Sequence, residues 1–391
     1  MLNTAFEPWP SFTPAEADAV SKVLLSNKVN YWTGQECREF EKEFSQFAQT
    51  QYAVALANGT VALDLALKVL GVGAGDDVIV TSRTFLASAS SIVTAGANPI
   101  FADVELDSQN ISRRTIEAVL TPHTKAIICV HLAGWMCDMD PIMQLAEEKG
   151  IWVIEDCAQA HGAFYKGQSA GSIGHIGAWS FCQDKIMTTG GEGGMVTTND
   201  ENLWKKMWSY KDHGKNFDSI YNKQHPPGFR WLHDSFGTNW RMMEMQAVIG
   251  RLQLQKMPEW TQLRNTNMHR VLASFENNPY FTVAKPPANY IHAAYKAYVQ
   301  VNTAQLPEGW SRDRIMAKIN ALGVPCFSGS CSEVYLEKAF DGTPWRPEQR
   351  LVNAKSLGES SLMFLVHPTL SDSNMQKTVD SIQQVISQIS M

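Results

Sequence analysis

Residues 52–81 read YAVALANGTVALDLALKVLGVGAGDDVIVT: a short apolar run, a helix-length segment, and a second short apolar run, with turn residues between them. Runs as short as YAVALA and DVIVT, bounded by Asn, Gly and Asp, suit buried strands, whereas VALDLALKVL repeats its apolar positions at helical spacing. The unit is strand, helix, strand, which joins parallel neighbours through a crossover. Working outward, the alternation continues through the helix SASSIVTAG, PIFADV, AIICVH, the helix MDPIMQLAEEKG and the strands IWVIED, GAWSF and GMVTTN, ending at Asn199. Upstream, PAEADAVSKVLLS (14–26) and the segment after Gly34 read as amphipathic helices. The pattern predicts an α/β fold, a mostly parallel mixed sheet covered by helices on both faces.

Beyond Asn199 a helix, ENLWKKMWSYKD, leads into His213–Thr238, a stretch rich in aromatics, Gly and Pro with little periodicity. Connections of that length are uncommon unless functional, so this loop and the region of Tyr335 are expected to select the substrate. A long helical pattern starting at Met243 breaks at Pro258. The expected division is a large domain over 1–256 and a smaller α+β domain over 257–391, as a chain of 391 residues outgrows one core.

Composition narrows the function. Hydrophobic residues make up 44 % and charged residues 18 % of a chain without low-complexity runs, which indicates a globular protein. With 33 basic against 39 acidic residues the net charge is −6, unfavourable for a nucleic-acid surface. The N-terminus has no export pattern and no apolar run approaches the ~18 residues that span a bilayer. Seven scattered cysteines suit reduced thiols, and the expectation is a cytoplasmic protein without membrane contact.

In a doubly covered parallel sheet, ligands bind beyond the carboxyl ends of the strands. The residues there are Asn58–Thr60, Ser82–Phe85, His131, Asp156–His161 and Ser180–Lys185. Asp156 ends the apolar run IWVI and needs a partner, either as a helix cap or as counter-charge to a ring nitrogen. Gln159 and His161 add hydrogen-bonding groups on the same turn. Gly59 and Thr60 open a helix that Asn58 can cap, an arrangement that either binds phosphate or simply ends a helix; Ser180 is equally open. Phe85 is either core or a stacking platform. Lys185 lies in FCQDKIMTTGGEGG (181–194), whose glycines permit close backbone approach. A phosphate cradle, a carboxylate, an aromatic face and a lysine together are what pyridoxal phosphate requires. Nucleotide-hydrolysis, dinucleotide and zinc-protease motifs are absent. Cys157 and His161, four apart, lack further ligands at metal spacing, so no metal is expected and Cys157 reads as a structural thiol.

NGTVALDLAL, FADV, KAIICVHLAGWMCDMDPI, VIEDCAQAHGA, GSIGHIGAWSF, DKIMTTGGEGGMVTTND, DHG and GTNWRMMEMQAVIGRLQL, collinear from about Trp32 to Leu254, resemble the DegT/DnrJ/EryC1/StrS sugar aminotransferases. The resemblance implies an aspartate-aminotransferase-type fold (fold type I) and a homodimer with shared active sites. It implies Lys185 as the Schiff-base lysine and proton shuttle, Asp156 at the pyridine nitrogen, Gln159 at the ring hydroxyl and Phe85 on the ring face. Gly59, Thr60 and Ser180 would bind the phosphate, with Asn239 reaching in from the other subunit. The implied reaction takes the amino group from glutamate, holds it as pyridoxamine phosphate, and passes it to a nucleotide-linked keto-sugar of the dTDP- or UDP-4-keto-6-deoxyhexose type, for lipopolysaccharide, O-antigen or other glycan assembly. Retention of Lys185, where a deoxygenating branch carries histidine, favours transamination.

The chain departs from the family pattern at Thr81, Ser82 and Arg83 and at Gln183 and Asp184. Arg83 either holds a substrate carboxylate or sugar phosphate, or pairs on the surface. The alternatives are a lyase or desulfurase using Cys326 or Cys331 in the PCFSGSC loop, and a non-catalytic regulatory member of the same fold.

Overall fold

The computed structural model describes residues 6–224 and 231–389. Two helices lead the chain, α1 (Pro14–Leu25) and α2 (Glu36–Phe47). Alternation then begins with β1 (Tyr52–Leu56), α3 (Gly59–Val69), β2 (Asp77–Thr81), α4 (Ala87–Thr94), β3 (Asn98–Ala102), α5 (Arg113–Glu117), β4 (Thr124–Val130), α6 (Met139–Lys149) and β5 (Trp152–Asp156). A small hairpin, β6 (Phe164–Tyr165) and β7 (Gln168–Ser169), precedes β8 (Ile176–Ser180) and β9 (Gly194–Thr198). Next come α7 (Glu201–Lys211), the short α8 (Phe217–Tyr221), α9 (Glu244–Leu254) and α10 (Met257–Ala273). The helical break falls between α9 and α10, with Pro258 in the first turn of α10, where its missing N–H is harmless.

The large sheet has seven strands in the order β1-β9-β8-β5-β4-β2-β3. Only β9 runs against the others, since β8 and β9 pair antiparallel and β1 pairs antiparallel with β9. The loop between β8 and β9 therefore turns back at the carboxyl edge, and it carries Lys185. Strand ends are in step there: Val130 lies beside Asp156 and Asp156 beside Ala178. One face of the sheet packs Val54, Leu56, Val78, Val80 and Ile154 against Leu63, Leu67 and Ile92 of α3 and α4. The other packs Ile79, Ile127 and Val153 against Phe40 and Phe44 of α2 and Ile142 and Leu145 of α6.

The last third of the chain adds β10 (Phe281–Thr282), β11 (Tyr290–Ile291), β12 (Ala297–Val301), α11 (Arg312–Ala321), β13 (Cys326–Phe327), α12 (Val352–Ser360), β14 (Ser361–Phe364) and α13 (Asp372–Ile389). Strands β10, β12, β14 and β13 form a second sheet, and β11 extends the β6–β7 hairpin. A third core joins this sheet to α10, α11 and α13 through Val271, Phe275, Ile319, Phe364 and Ile382. Helix α10 spans two cores, with Met257 and Trp260 in the one beneath α2 and α6 and Met268 and Leu272 in the third.

Tyr335 is fully buried in the core under α3 and α4, its hydroxyl donating to Glu333 at 2.6 Å, so it does not face a substrate. Its aromatic packing, with Phe101 and Phe340, explains the conspicuous sequence there. The expected specificity loop contains α8, and its residues 225–230 lie outside the described residues. No helix among the described residues is long and apolar enough to cross a membrane.

Candidate active site

Asp156 closes β5 and is 6 % exposed. Its Oδ2 accepts from Ser88 Oγ at 2.8 Å and its Oδ1 from the Ala158 amide at 3.1 Å. Ser88 is tied in turn to Thr84 at 2.9 Å. Burial raises the Asp156 carboxyl; the Ser88 and Ala158 hydrogen bonds and the charge of Lys185 offset that only in part. The carboxylate has no cationic partner in contact among the described residues, and it caps only a tight turn. That deficit fits a ligand that brings a protonated ring nitrogen.

Glu155, one residue earlier, is fully buried and fully served. It accepts from His131 Nε2 at 2.8 Å and from the amides of Gly171, Ile173 and Gly174 at 3.0, 2.8 and 2.6 Å. The Cys137 amide donates to His131 Nδ1 at 3.1 Å, which makes Nε2 the protonated nitrogen. His131, Glu155 and Cys157 offer donor atoms within 4.8 Å of one another, but the nitrogens and oxygens are already engaged, which makes this a structural network. Burial pushes the Cys157 thiol up to about 12.

Gln159 is 9 % exposed, and its Oε1 accepts from the Ala133 amide at 2.7 Å, holding a residue whose φ is 57°. His161 does not act as a polar group of the site. It is fully buried, its ring lies 5.1 Å from Trp179 and 5.6 Å from Phe181, and neither nitrogen has a partner among the described residues. Burial, then the charges of Lys185 and Arg264, lowers it to about 3 and keeps it neutral.

The phosphate candidates converge. Asn58 caps α3 through Val61 N at 3.0 Å. A Cβ on Gly59 would lie 2.5 Å from Ser180 Cβ and 2.9 Å from its Oγ, so only glycine allows this approach of β8 and α3. Ser180 Oγ takes the Cys182 amide at 3.3 Å, and the Thr60 side chain is exposed at the helix start. The amides of Gly59 and Thr60 find no acceptor among the described residues. A cradle closed to any side chain, with free amides, fits a phosphate.

Lys185 has a side chain 16 % exposed, with Nζ 3.6 Å from Asp184 Oδ1 and 5.4 Å from the centre of the Tyr295 ring. Tyr295 donates to Asp184 at 2.5 Å, and Trp9 Nε1 donates to the Lys185 carbonyl at 2.8 Å. Burial raises Asp184, but the Lys185 charge, the Tyr295 hydrogen bond and Lys296 bring it below its ordinary value. Phe85 is 72 % exposed beside the Thr84–Ser88–Asp156 chain, an uncovered aromatic face and not a core residue. The Asn239 side chain is exposed and makes no hydrogen bond among the described residues; its backbone bridges to Asp212.

Arg83 is neither a substrate clamp nor a surface pair. It is fully buried, donating to Gln109 Oε1 (2.9 Å), the Ser330 carbonyl (3.3 Å) and Ser361 Oγ (3.1 Å), and so ties β2 to β14. In the PCFSGSC loop, burial lifts the Cys326 thiol to about 12 and also raises the exposed Cys331, so neither is poised as a thiolate.

A lysine in the turn between antiparallel strands, a buried carboxylate lacking a cation among the described residues and a helix start with free amides thus share the carboxyl edge of a fold-type-I sheet. The chain belongs to the DegT/DnrJ/EryC1/StrS aminotransferase family, whose model matches residues 10–383. It is 35 % identical over 354 residues to GDP-perosamine synthase of Caulobacter vibrioides, covering 89 % of each chain. An aminotransferase from Psychrobacter cryohalolentis superposes with a TM-score of 0.98 at 62 % identity, over 99 % of this chain and 100 % of that one. The putative sugar aminotransferase Spr1654 from Streptococcus pneumoniae, in its PLP form, superposes with a TM-score of 0.85 at 26 % identity, over 98 % and 99 %.

Ser88, Tyr295 and Trp9 are not among the residues that the strand ends single out, whereas Thr84 falls in the Ser82–Phe85 stretch. Ser88 lies in the first turn of the helix after β2, a position a search of strand ends alone passes over. Trp9 and Tyr295 are far from Lys185 in the chain, and only the fold brings them to it.

Proposed function

We propose that the protein transfers the amino group of glutamate to a nucleotide-linked keto-sugar, of the 4-keto-6-deoxyhexose type on dTDP or UDP, with GDP as the further nucleotide to test given the Caulobacter relative. The observation that carries this reading is Asp156, buried without a cation and within the field of Lys185. Bound pyridoxal phosphate supplies an electron sink for the pair released when the hydrogen on the carbon bearing nitrogen leaves as a proton. Asp156 keeps the ring nitrogen protonated, and Gln159 offers its amide to the ring hydroxyl. The amides of Gly59 and Thr60 and the Ser180 hydroxyl would hold the phosphate, and Phe85 would supply an aromatic face to the ring. Lys185 Nζ would hold the group in the resting enzyme and would move the proton between the two carbons.

The reading includes a homodimer in which Asn239 of each chain completes the other's site; the exposure of Trp231 and Phe236, 90 % and 98 %, near Asn239 in sequence supports that part of it. Seven unpaired cysteines accord with a cytoplasmic enzyme of glycan assembly. The test is incubation of holoenzyme with ¹⁵N-glutamate and a panel of dTDP-, UDP- and GDP-4-keto-6-deoxyhexoses, followed by mass spectrometry. Label in one amino sugar is expected; no label in any sugar refutes the proposal.

A further inference from the structure

Arg264, on α10, is 1 % exposed, yet its Nε and Nη2 have no hydrogen-bond partner among the described residues. Those two nitrogens form the side edge of the guanidinium, the fork that matches a carboxylate with two parallel hydrogen bonds. Its carbon stands 4.7 Å from the Trp9 ring centre, and Trp9 holds the Lys185 carbonyl. Lys296 Nζ lies 4.8 Å from the centre of the Tyr295 ring, to which Lys185 also turns, and Lys296 has no ion pair among the described residues. Three cations thus surround Trp9 and Tyr295; Asp184, engaged by Tyr295 and Lys185, acts on Lys296, and no carboxylate pairs with Arg264 among the described residues. The other neighbours, His161 and His367, are held neutral at about 3 by burial and by these charges.

A buried guanidinium without counter-charge is strongly disfavoured, and a ligand anion offsets that penalty. Burial lowers Arg264 to about 9; burial, then Arg264, lowers Lys296 to about 8.

We propose that Arg264, with Lys296 beside it, is the anion subsite that takes a carboxylate of the amino donor on its Nε–Nη2 edge. This rests on the amino-donor reading above. The carboxylate would enter beside Lys185, with Trp9 as the floor beneath the guanidinium. A free dicarboxylate is favoured over a nucleotide diphosphate, because the side-on fork is planar and the second cation suits a second carboxylate.

The test titrates holoenzyme calorimetrically with glutarate, a dicarboxylate lacking the amino group, and separately with UDP, GDP and dTDP. Arg264→Gln is expected to weaken glutarate roughly 30-fold or more. Arg264→Lys should recover only part of that loss, because the fork is gone. Lys296→Gln should weaken glutarate roughly fivefold, with each nucleotide unchanged within about twofold. Should Arg264→Gln not fold, Arg264→Lys and Lys296→Gln decide the matter. Wild-type glutarate affinity in all variants, no glutarate binding by wild type, or a loss confined to the nucleotides overturns the proposal. Wild type that accepts the amino group of glutamate while Arg264→Gln binds glutarate normally refutes the subsite alone; wild type that does not accept it refutes the underlying reading.

Discussion

Glu155 and Asp156 are adjacent acids at the end of one buried strand, and their surroundings differ completely. Glu155 receives four hydrogen bonds, and these outweigh burial to hold it below its ordinary value. Asp156 receives two, and burial holds it above its ordinary value. A buried charge whose bonds are complete belongs to the architecture, whereas one left short marks where a ligand is awaited. The same contrast separates Arg83, bonded on all three nitrogens, from Arg264, whose side edge is bare.

The contrast can be broken by substitution. Lys185→Ala should lower amino transfer by ~10⁴-fold or more without unfolding the chain, measured as labelled product per enzyme. Asp156→Asn should slow the reaction by roughly 10²-fold or more, yet leave the cofactor-free protein at least as resistant to thermal unfolding as wild type. The sign follows from the raised carboxyl: the fold disfavours the charged form, so stability is lost as pH rises through its folded value, and a neutral amide escapes that loss.

Glu155→Gln should do the reverse, costing ~3 kcal/mol or more in denaturant unfolding at pH 7. A depressed acid contributes its full stability above its ordinary 4.5 and loses it as pH falls through the lower folded value, so the gap between wild type and variant should close in acid. A gap that persists unchanged well below pH 4 contradicts the account. Gly59→Ala, forced against Ser180, should cost about 1–3 kcal/mol of stability and weaken cofactor affinity measured by fluorescence titration.

The alternation from Tyr52 to Asn199 made the sheet and its carboxyl edge legible, because strand and helix periods differ and glycine marks the turns. The same reading placed Lys185, Asp156, Gln159 and the Gly59–Thr60 turn at that edge. Local pattern could not show that Arg83 turns inward to Ser361, that Tyr335 fills a core, or that His161 lies among aromatic rings, since each depends on a partner distant in sequence. Trp9, Arg264 and Tyr295 share that reason: they come from three separate parts of the chain and meet only when the last third folds back.

The most direct test of the account is to load the protein with pyridoxal phosphate, reduce it with borohydride, and sequence the modified peptide. Lys296, lowered to about 8 and facing the same Tyr295 ring, makes this a real choice between two lysines. The account predicts the cofactor mass on Lys185 alone, and none in Lys185→Ala. Label on Lys296, or label that survives in Lys185→Ala, contradicts it.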